Sequence, residues 1–375
     1  MSNPVRIGII GCGAISGAYL QHAKQFPILE IAACADINLD AARNKAAEHG
    51  VPRACSVTQL LDDKSIEIVL NLTIPKAHVP VALESVAAGK HMYAEKPLGT
   101  SREEAKRVMD AARAKNVLIG CAPDTFMGSG IQTARKVIDD GAIGKPVAFT
   151  AFMMCPGHES WHPNPEFYYE VGGGPMFDMG PYYLTALLNL LGPVKRISAA
   201  ASIAIPQRTI THRNKEGLPG PKFGKKIDVE TPDHICGTME FENGAVGSII
   251  TSFATRFPNY DGKQPITIFG TEGTLRVPDP NHFDGPVHLR KSDDPDWTEI
   301  PPATPTGYGR AVGLADMADA LRGKRGFRAA GEQAYAVVDL MQGFLDSAES
   351  HRAYDPIVKY QRPAPMPSKA FGVFD

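Results

Sequence analysis

Five short runs in the first 120 residues, at 5–10, 29–35, 66–72, 91–94 and 117–121, are apolar at nearly every position instead of every second one. A strand wetted on one face alternates. One that is apolar throughout is buried on both faces, like the strands of a parallel sheet covered by helices. Helix-period stretches at 14–26, 39–49, 79–88 and 101–115 separate these runs. The alternation predicts βαβ units in an α/β, doubly wound parallel sheet of the Rossmann kind. A further helix over about 130–139 precedes the turn Gly141-Ala142-Ile143-Gly144-Lys145-Pro146.

From residue 147 the grammar changes. Strand-like runs follow one another at 147–154, 194–205, 234–241, 245–253, 266–269 and 287–290, with one helical segment at 179–191 among them. Asn243-Gly244 is a strong hairpin signal and Glu272-Gly273 a weaker one. Strands in series with few helices predict an α+β unit on a mostly antiparallel sheet. Helical pattern returns at 312–321 and 332–350. A chain of 375 residues exceeds what one core usually supports. The expected division is a dinucleotide-binding unit over 1–122 and a substrate-binding and oligomerisation unit over 123–375, the last helices returning to the first unit. The Gly-, Pro-, Lys- and Arg-rich segment 207–226 reads as a mobile excursion.

Composition narrows the partners. With 39 Lys and Arg against 41 Asp and Glu, the net charge is −2, which leaves no electrostatic footprint for nucleic acid or an anionic membrane. No apolar run approaches a membrane span, and the N-terminus lacks the pattern of a signal peptide. The six cysteines are scattered without a C-x-x-C pair, so neither a metal-ligand spacing nor a disulfide framework is expected, and a cytoplasmic location is.

Gly11-Cys12-Gly13-Ala14-Ile15-Ser16 lies between the first strand and the first helix. Gly11 allows a tight turn, and Gly13 lets backbone N–H groups approach a pyrophosphate at a helix N-terminus. Ser16 stands where the third glycine of G-x-G-x-x-G would be, and is still small. Asp36 ends the second strand, where a carboxylate takes the hydroxyls of an adenosine ribose. Ile37 and Asn38 offer no cation to a 2′-phosphate, so NAD is expected over NADP. Glu95-Lys96-Pro97 follows the strand at 91–94, at the carboxyl end where ligands of such sheets sit. The tripeptide alone reads more readily as a solvated Glu-Lys pair before a helix N-terminus.

These motifs, with Thr73-Ile74-Pro75, His78, Gly89-Lys90-His91, Gly141 to Pro146, and Gly172-Gly173-Gly174 through Asp178 to Tyr182, resemble the Gfo/Idh/MocA oxidoreductase family over essentially the whole chain. The resemblance implies a Rossmann unit, an open-faced sheet that mediates dimers or tetramers, and NAD(P)-dependent redox at a sugar or polyol carbon. It implies cofactor contacts from Gly11, Gly13, Ala14, Ile15, Asp36, Thr73, Pro75, His78, Glu95 and Lys96, and catalytic roles for Lys96, Asp178 and Tyr182. Many members carry histidine where Tyr182 stands. The tyrosine is similar to the branch that holds glucose–fructose oxidoreductase and dimeric dihydrodiol dehydrogenase. A phenol is a poor base at neutral pH, and an adjacent Lys96 ammonium would assist it. Without the resemblance, Tyr182 in its apolar stretch reads as a core aromatic.

His158-Glu159-Ser160-Trp161-His162 spells H-E-x-x-H, but prolines at 156, 163 and 165 leave barely one turn of helix for a zinc site. The expectation is a loop in which Trp161, His162 and Glu166 meet a polyhydroxylated ring, with Lys96, Asp124, Asp178 and Tyr182 completing the substrate contacts. Gly307-Tyr308-Gly309 follows a proline loop instead of a strand and is discounted as a nucleotide motif. The expected function is hydride transfer between NAD(H) and a sugar, sugar derivative or cyclic polyol. A non-catalytic nicotinamide sensor and, further off, a zinc hydrolase using His158 and His162 remain open.

Overall fold

The computed structural model describes residues 3–256 and 262–368. Its first unit runs β1 (Val5–Ile10), α1 (Ala14–Ala23), β2 (Leu29–Ala35), α2 (Leu39–His49), β3 (Ala54–Cys55), α3 (Val57–Asp62), β4 (Ile68–Asn71), α4 (Pro75–Ala87), β5 (His91–Ala94), α5 (Arg102–Lys115) and β6 (Ile119–Cys121). The strands pair in parallel in the order β3-β2-β1-β4-β5-β6. Strand order reverses between β1 and β4, which opens the crevice at the carboxyl ends where ligands bind. The fully apolar runs are buried on both faces: Ile7, Ile9, Ile68 and Met92 are at 0% exposure. α4 begins four residues before its periodic pattern does. Pro75 is tolerated in the first helical turn, and Pro80 within the helix masks the pattern. β3, with two residues, is too short to show a period.

The second unit begins with α6 (Ser129–Asp139) and β7 (Pro146–Met154), then α7 (Gly174–Asp178), α8 (Gly180–Leu191) and β8 (Val194–Ser202). A ribbon of β9 (Gln207–Thr209) and β10 (Lys226–Asp228) leads to β11 (His234–Phe241), β12 (Val246–Ser252), β13 (Ile266–Gly270), β14 (Gly273–Val277), β15 (Val287–Lys291) and β16 (Thr298–Ile300). The sheet order is β16-β15-β14-β13-β7-β12-β11-β8, antiparallel except where β7 meets β12. Alternation decides its faces. Phe149, Ala151, Ile249, Ile268 and Met239 are buried beneath the helices, where every residue of α8 is also buried. The opposite face leaves Val246 and Phe269 exposed.

The chain closes with α9 (Val312–Gly323) and α10 (Gly331–Ser350). Arg102 of α5 donates to Asp339 (2.5 Å) and Asp346 (2.9 Å) of α10, so this helix clamps the two units together. Segment 207–226 differs from expectation. Arg208 on β9, its side chain 1% exposed, donates to Asp233 Oδ2 (2.8 Å), Glu159 Oε1 (2.9 Å) and the Phe253 carbonyl (2.7 Å). The base of the excursion is therefore anchored by a buried cation, a use of arginine that composition cannot distinguish from a solvated one.

Candidate active site

The glycine loop sits at the carboxyl end of β1. Gly11 has φ +101°, and a Cβ there would come within 2.6 Å of the Leu72 carbonyl, so only glycine permits this approach to the end of β4. Gly13 and Ala14 are exposed at the start of α1, which has no side-chain cap. Its first N–H groups are therefore open to an anion. Asp36 accepts from Cys12 N (2.8 Å) and Asn38 N (2.9 Å), holding a carboxylate beside the loop at the end of β2. Uncapped N–H donors for a pyrophosphate and a carboxylate for a ribose diol form the donor set that a nicotinamide dinucleotide requires. Ile15 packs behind the loop, half-buried.

The other residues expected at the cofactor are placed as its frame. His78 is 1% exposed, with Nδ1 2.8 Å from the Pro97 carbonyl and Nε2 3.0 Å from that of Thr73. It ties the loop of Thr73 and Pro75 to the segment after β5. Burial holds its imidazole below the ordinary pKa. Glu95 turns inward and accepts from Tyr19 Oη (2.8 Å) and Lys96 N (3.1 Å).

Lys96 emerges at the carboxyl end of β5. Its ammonium donates to Asp178 at the end of α7, through the carbonyl (2.7 Å) and Oδ1 (3.1 Å). Burial opposes both charges, but their mutual attraction outweighs it. The lysine pKa is raised, and Asp178, also facing His158, is held at about 2. Lys96 Nζ lies 5.1 Å from the centroid of the Tyr182 ring, over its face and not on its hydroxyl. The phenol oxygen instead accepts from Arg310 Nη2 (2.9 Å).

A cavity of about 480 Å³ opens between the two units. Lys96, Pro97 and Asp178 line it, the loop of Pro75 and Lys76 forms one wall, and Asn164, Glu166, Phe167 and Tyr168 another. Glu166 accepts from Lys222 (2.7 Å) and Lys225 (3.0 Å) of the excursion, which outweigh its burial and hold it at about 2. Lys76 pairs with Glu170 across the mouth. Burial and the Asp178 charge push Tyr168 up to about 12.

Not every expected substrate residue reaches this cavity. Tyr182, 5% exposed, stands behind Lys96 and is absent from the wall. Asp124 is fully buried, accepting from Gly313 N (3.1 Å) and lying 3.6 Å from Arg310. His162 packs edge-on against Tyr168 and Trp161 edge-on against His162, with Trp161 more than half exposed. The H-E-x-x-H side chains are directed to separate partners. Trp161 Nε1 donates to His158 Nδ1 (3.2 Å), which leaves Nε2 to donate to Asp178 Oδ2 (3.1 Å). Glu159 takes Arg208 and the Tyr169 hydroxyl, and His162 Nδ1 accepts from Asn164 N (3.1 Å). Among the described residues, no group of three or more His, Cys, Asp or Glu is gathered to hold a metal. The two histidines of the motif are thus held by separate partners.

Sequence reasoning missed His158 as Asp178's second partner and Arg310 as Tyr182's. The first was hidden in a motif with a stronger association. The second lay next to the discounted Gly307-Tyr308-Gly309.

Comparison with known proteins agrees with this architecture. Residues 5–122 match the oxidoreductase family with an NAD-binding Rossmann fold, and residues 131–276 match the GFO/IDH/MocA C-terminal domain. The chain is 27% identical to levoglucosan dehydrogenase of Pseudarthrobacter phenanthrenivorans, over 72% of this chain and 73% of that one. It is 24% identical to myo-inositol 2-dehydrogenase of Thermotoga maritima, over 72% and 74%. Among solved structures, levoglucosan dehydrogenase in complex with NADH and L-sorbose superposes with a TM-score of 0.78 at 24% identity, covering 95% of this chain and 99% of that one. An NAD binding oxidoreductase from Klebsiella pneumoniae gives 0.79 at 22%, covering 94% and 99%. With its NAD-binding Rossmann unit followed by that family's own second domain, the chain belongs to the Gfo/Idh/MocA oxidoreductases.

Proposed function

We propose that the protein is an NAD(H)-dependent dehydrogenase or reductase of a sugar, sugar derivative or cyclic polyol, of the branch that pairs lysine and aspartate with tyrosine. One observation carries this reading: Lys96 of the Rossmann unit and Asp178 of the second unit are ion-paired on the wall of the cavity between them. Relatives described as levoglucosan dehydrogenase, myo-inositol 2-dehydrogenase and 1,5-anhydro-D-fructose reductase support the substrate class. So does a wall that sets Phe167 and Tyr168 beside Asn164 and Glu166, an apolar face with polar groups around it. Gly11, Gly13, the start of α1 and Asp36 would hold the cofactor. Asn38 caps α2 and Ile37 is fully exposed, so neither of the two residues after Asp36 offers a cation to a 2′-phosphate.

When bound, the nicotinamide supplies the two-electron chemistry at the substrate carbon. Lys96 donates to the substrate oxygen and stabilises the alkoxide that develops there. Asp178, fixed by His158, keeps the ammonium aimed. Tyr182, beneath Lys96, would accept the hydroxyl proton in the oxidative direction as its phenolate, becoming the phenol. The open face of the second sheet, with Val246 and Phe269 exposed, would join copies into a dimer or tetramer. The division falls near residue 122, between β6 and the second unit, with the cofactor loop before it and the substrate cavity formed from both sides of it. Free thiols at all six cysteines suit the reducing cytoplasm.

The test is a panel of levoglucosan, myo-inositol and L-sorbose with NAD, and 1,5-anhydro-D-fructose with NADH, run on wild type and Lys96→Met. The expected result is turnover of at least one substrate, a loss of about a thousandfold or more in the variant, and NADH binding retained by fluorescence titration. Near-normal turnover in Lys96→Met would remove the lysine from the chemistry. NADH binding with no turnover across a wider sugar panel would point to a sensor.

A further inference from the structure

The phenol oxygen of Tyr182 is held by a residue about 130 positions away, on a segment that carries no recognisable motif. Arg310 sits in the turn before α9, its side chain 15% exposed. Nη2 donates to Tyr182 Oη (2.9 Å), and the guanidinium carbon lies 5.6 Å from the centre of the same ring. Nη1 is buried without a hydrogen-bond partner among the described residues, 3.6 Å from Asp124 Oδ1.

Three features show that the turn is built to put the guanidinium there. Ala311 holds φ +82° while fully buried, a left-handed conformation that costs a non-glycine residue free energy and persists only where the surroundings enforce it. Gly309 and Gly313 flank it without side chains. A Cβ on the first would fall within 2.3 Å of the His22 ring, and on the second within 2.2 Å of Tyr93 Oη. The segment is thus wedged into the first unit. Asp124 then receives the Gly313 N–H (3.1 Å) and supplies the counter-charge.

A guanidinium only donates. The phenol oxygen facing it is the acceptor, and it is better held the more negative charge it carries. We infer that Arg310 is a positioning residue, which fixes the orientation of the Tyr182 phenol beneath Lys96. This rests on the reading of Tyr182 as the proton acceptor. The charged and titratable groups around the phenol are Lys96 from the segment after β5, with Asp178 of α7 on the far side of the ammonium, Tyr168 from the aromatic loop, and Arg310. Glu95, Tyr19 and Asp124 lie behind the guanidinium and share its charge. Lys96 is held by Asp178, so Arg310 is the cation committed to the oxygen itself.

The test compares Arg310→Met, Arg310→Lys, Tyr182→Phe and Arg310→Met/Tyr182→Phe as full-length protein. Oxidation of levoglucosan or myo-inositol, whichever turns over faster, is followed at saturating and at limiting substrate. The order of the ring is followed without substrate, as the near-ultraviolet circular dichroism band that Tyr182→Phe lacks. The expectation for Arg310→Met is a loss of about tenfold or more in kcat with KM little changed. The Tyr182 band should weaken as the ring is freed. Arg310→Lys should recover part of both, and the double variant should be no slower than Tyr182→Phe. Should Arg310→Met fold poorly because Asp124 is left unpaired, Arg310→Met/Asp124→Asn removes both charges, and the same losses are expected. An unchanged kcat and an unchanged band in a folded variant, or losses that multiply in the double variant, would overturn the proposal. If Tyr182→Phe keeps full activity while the band still weakens in Arg310→Met, Tyr182 is not the proton acceptor, but Arg310's hold on the phenol stands.

Discussion

At the scale of single residues, the site is organised by where charges are satisfied. Asp178 is near-buried yet ionised because Lys96 and His158 both face it. Its pKa is depressed in the folded state to about 2, from an ordinary carboxylate value near 4. The unfolded chain binds the proton more readily, so the stabilisation is present above about pH 4 and is lost as pH falls through about 2. A shift of this size corresponds to about 2 kcal/mol. Urea melts from pH 6 downward should show wild type losing that much more than Asp178→Asn across this window. Parallel curves would mean the carboxylate is not stabilised by its partners. Lys96 and the glycine loop were legible because each lies at the end of a strand that the pattern marks, whereas Asp178 was reached only through the family resemblance. His158 was not. Its partner is 20 positions away, and only a folded loop decides which ring nitrogen meets which atom.

Among the elements, the ribbon of β9 and β10 shows how a polar segment can be structural. Arg208 and Asp233 are each 1% exposed, and Glu159 adds a second carboxylate. Removing the cation from a buried pair costs about 3–5 kcal/mol, because the remaining charge has lost its partner. Arg208→Met should therefore lower the unfolding free energy by that order in urea titration. It should also raise the sugar KM more than it changes NADH affinity, since Glu159 belongs to the loop that carries Tyr168. A loss below about 1 kcal/mol would show that the ribbon is held by other contacts. Strands and long helices were legible because burial enforces a period on them. β3 and α7 were not, being too short to express one, and the excursion was misread because a buried and a solvated arginine look alike in sequence.

For the whole molecule, the outward face of the second sheet is the surface proposed above to join copies of the chain. Val246 and Phe269 pair in register on either side of Ala148 and stay exposed. On that proposal, placing charges there, as Val246→Asp/Phe269→Asp, lowers the sedimenting mass to that of one chain while leaving circular dichroism unchanged. An unaltered mass would locate any assembly elsewhere. What the sequence by itself determined is the plan: a parallel sheet buried on both faces, a second sheet whose strands alternate, and a nucleotide loop with an acid at the next strand's end. These follow from local periodicity and from residue types that a turn or a phosphate demands. Only the tertiary structure decided the partners. Lys96 meets Asp178, His158 meets Asp178 and Arg310 meets Tyr182 across separations of 82, 20 and 128 residues. A buried charge must find its counter-charge wherever the packed elements bring one, and no short-range pattern records which one that is.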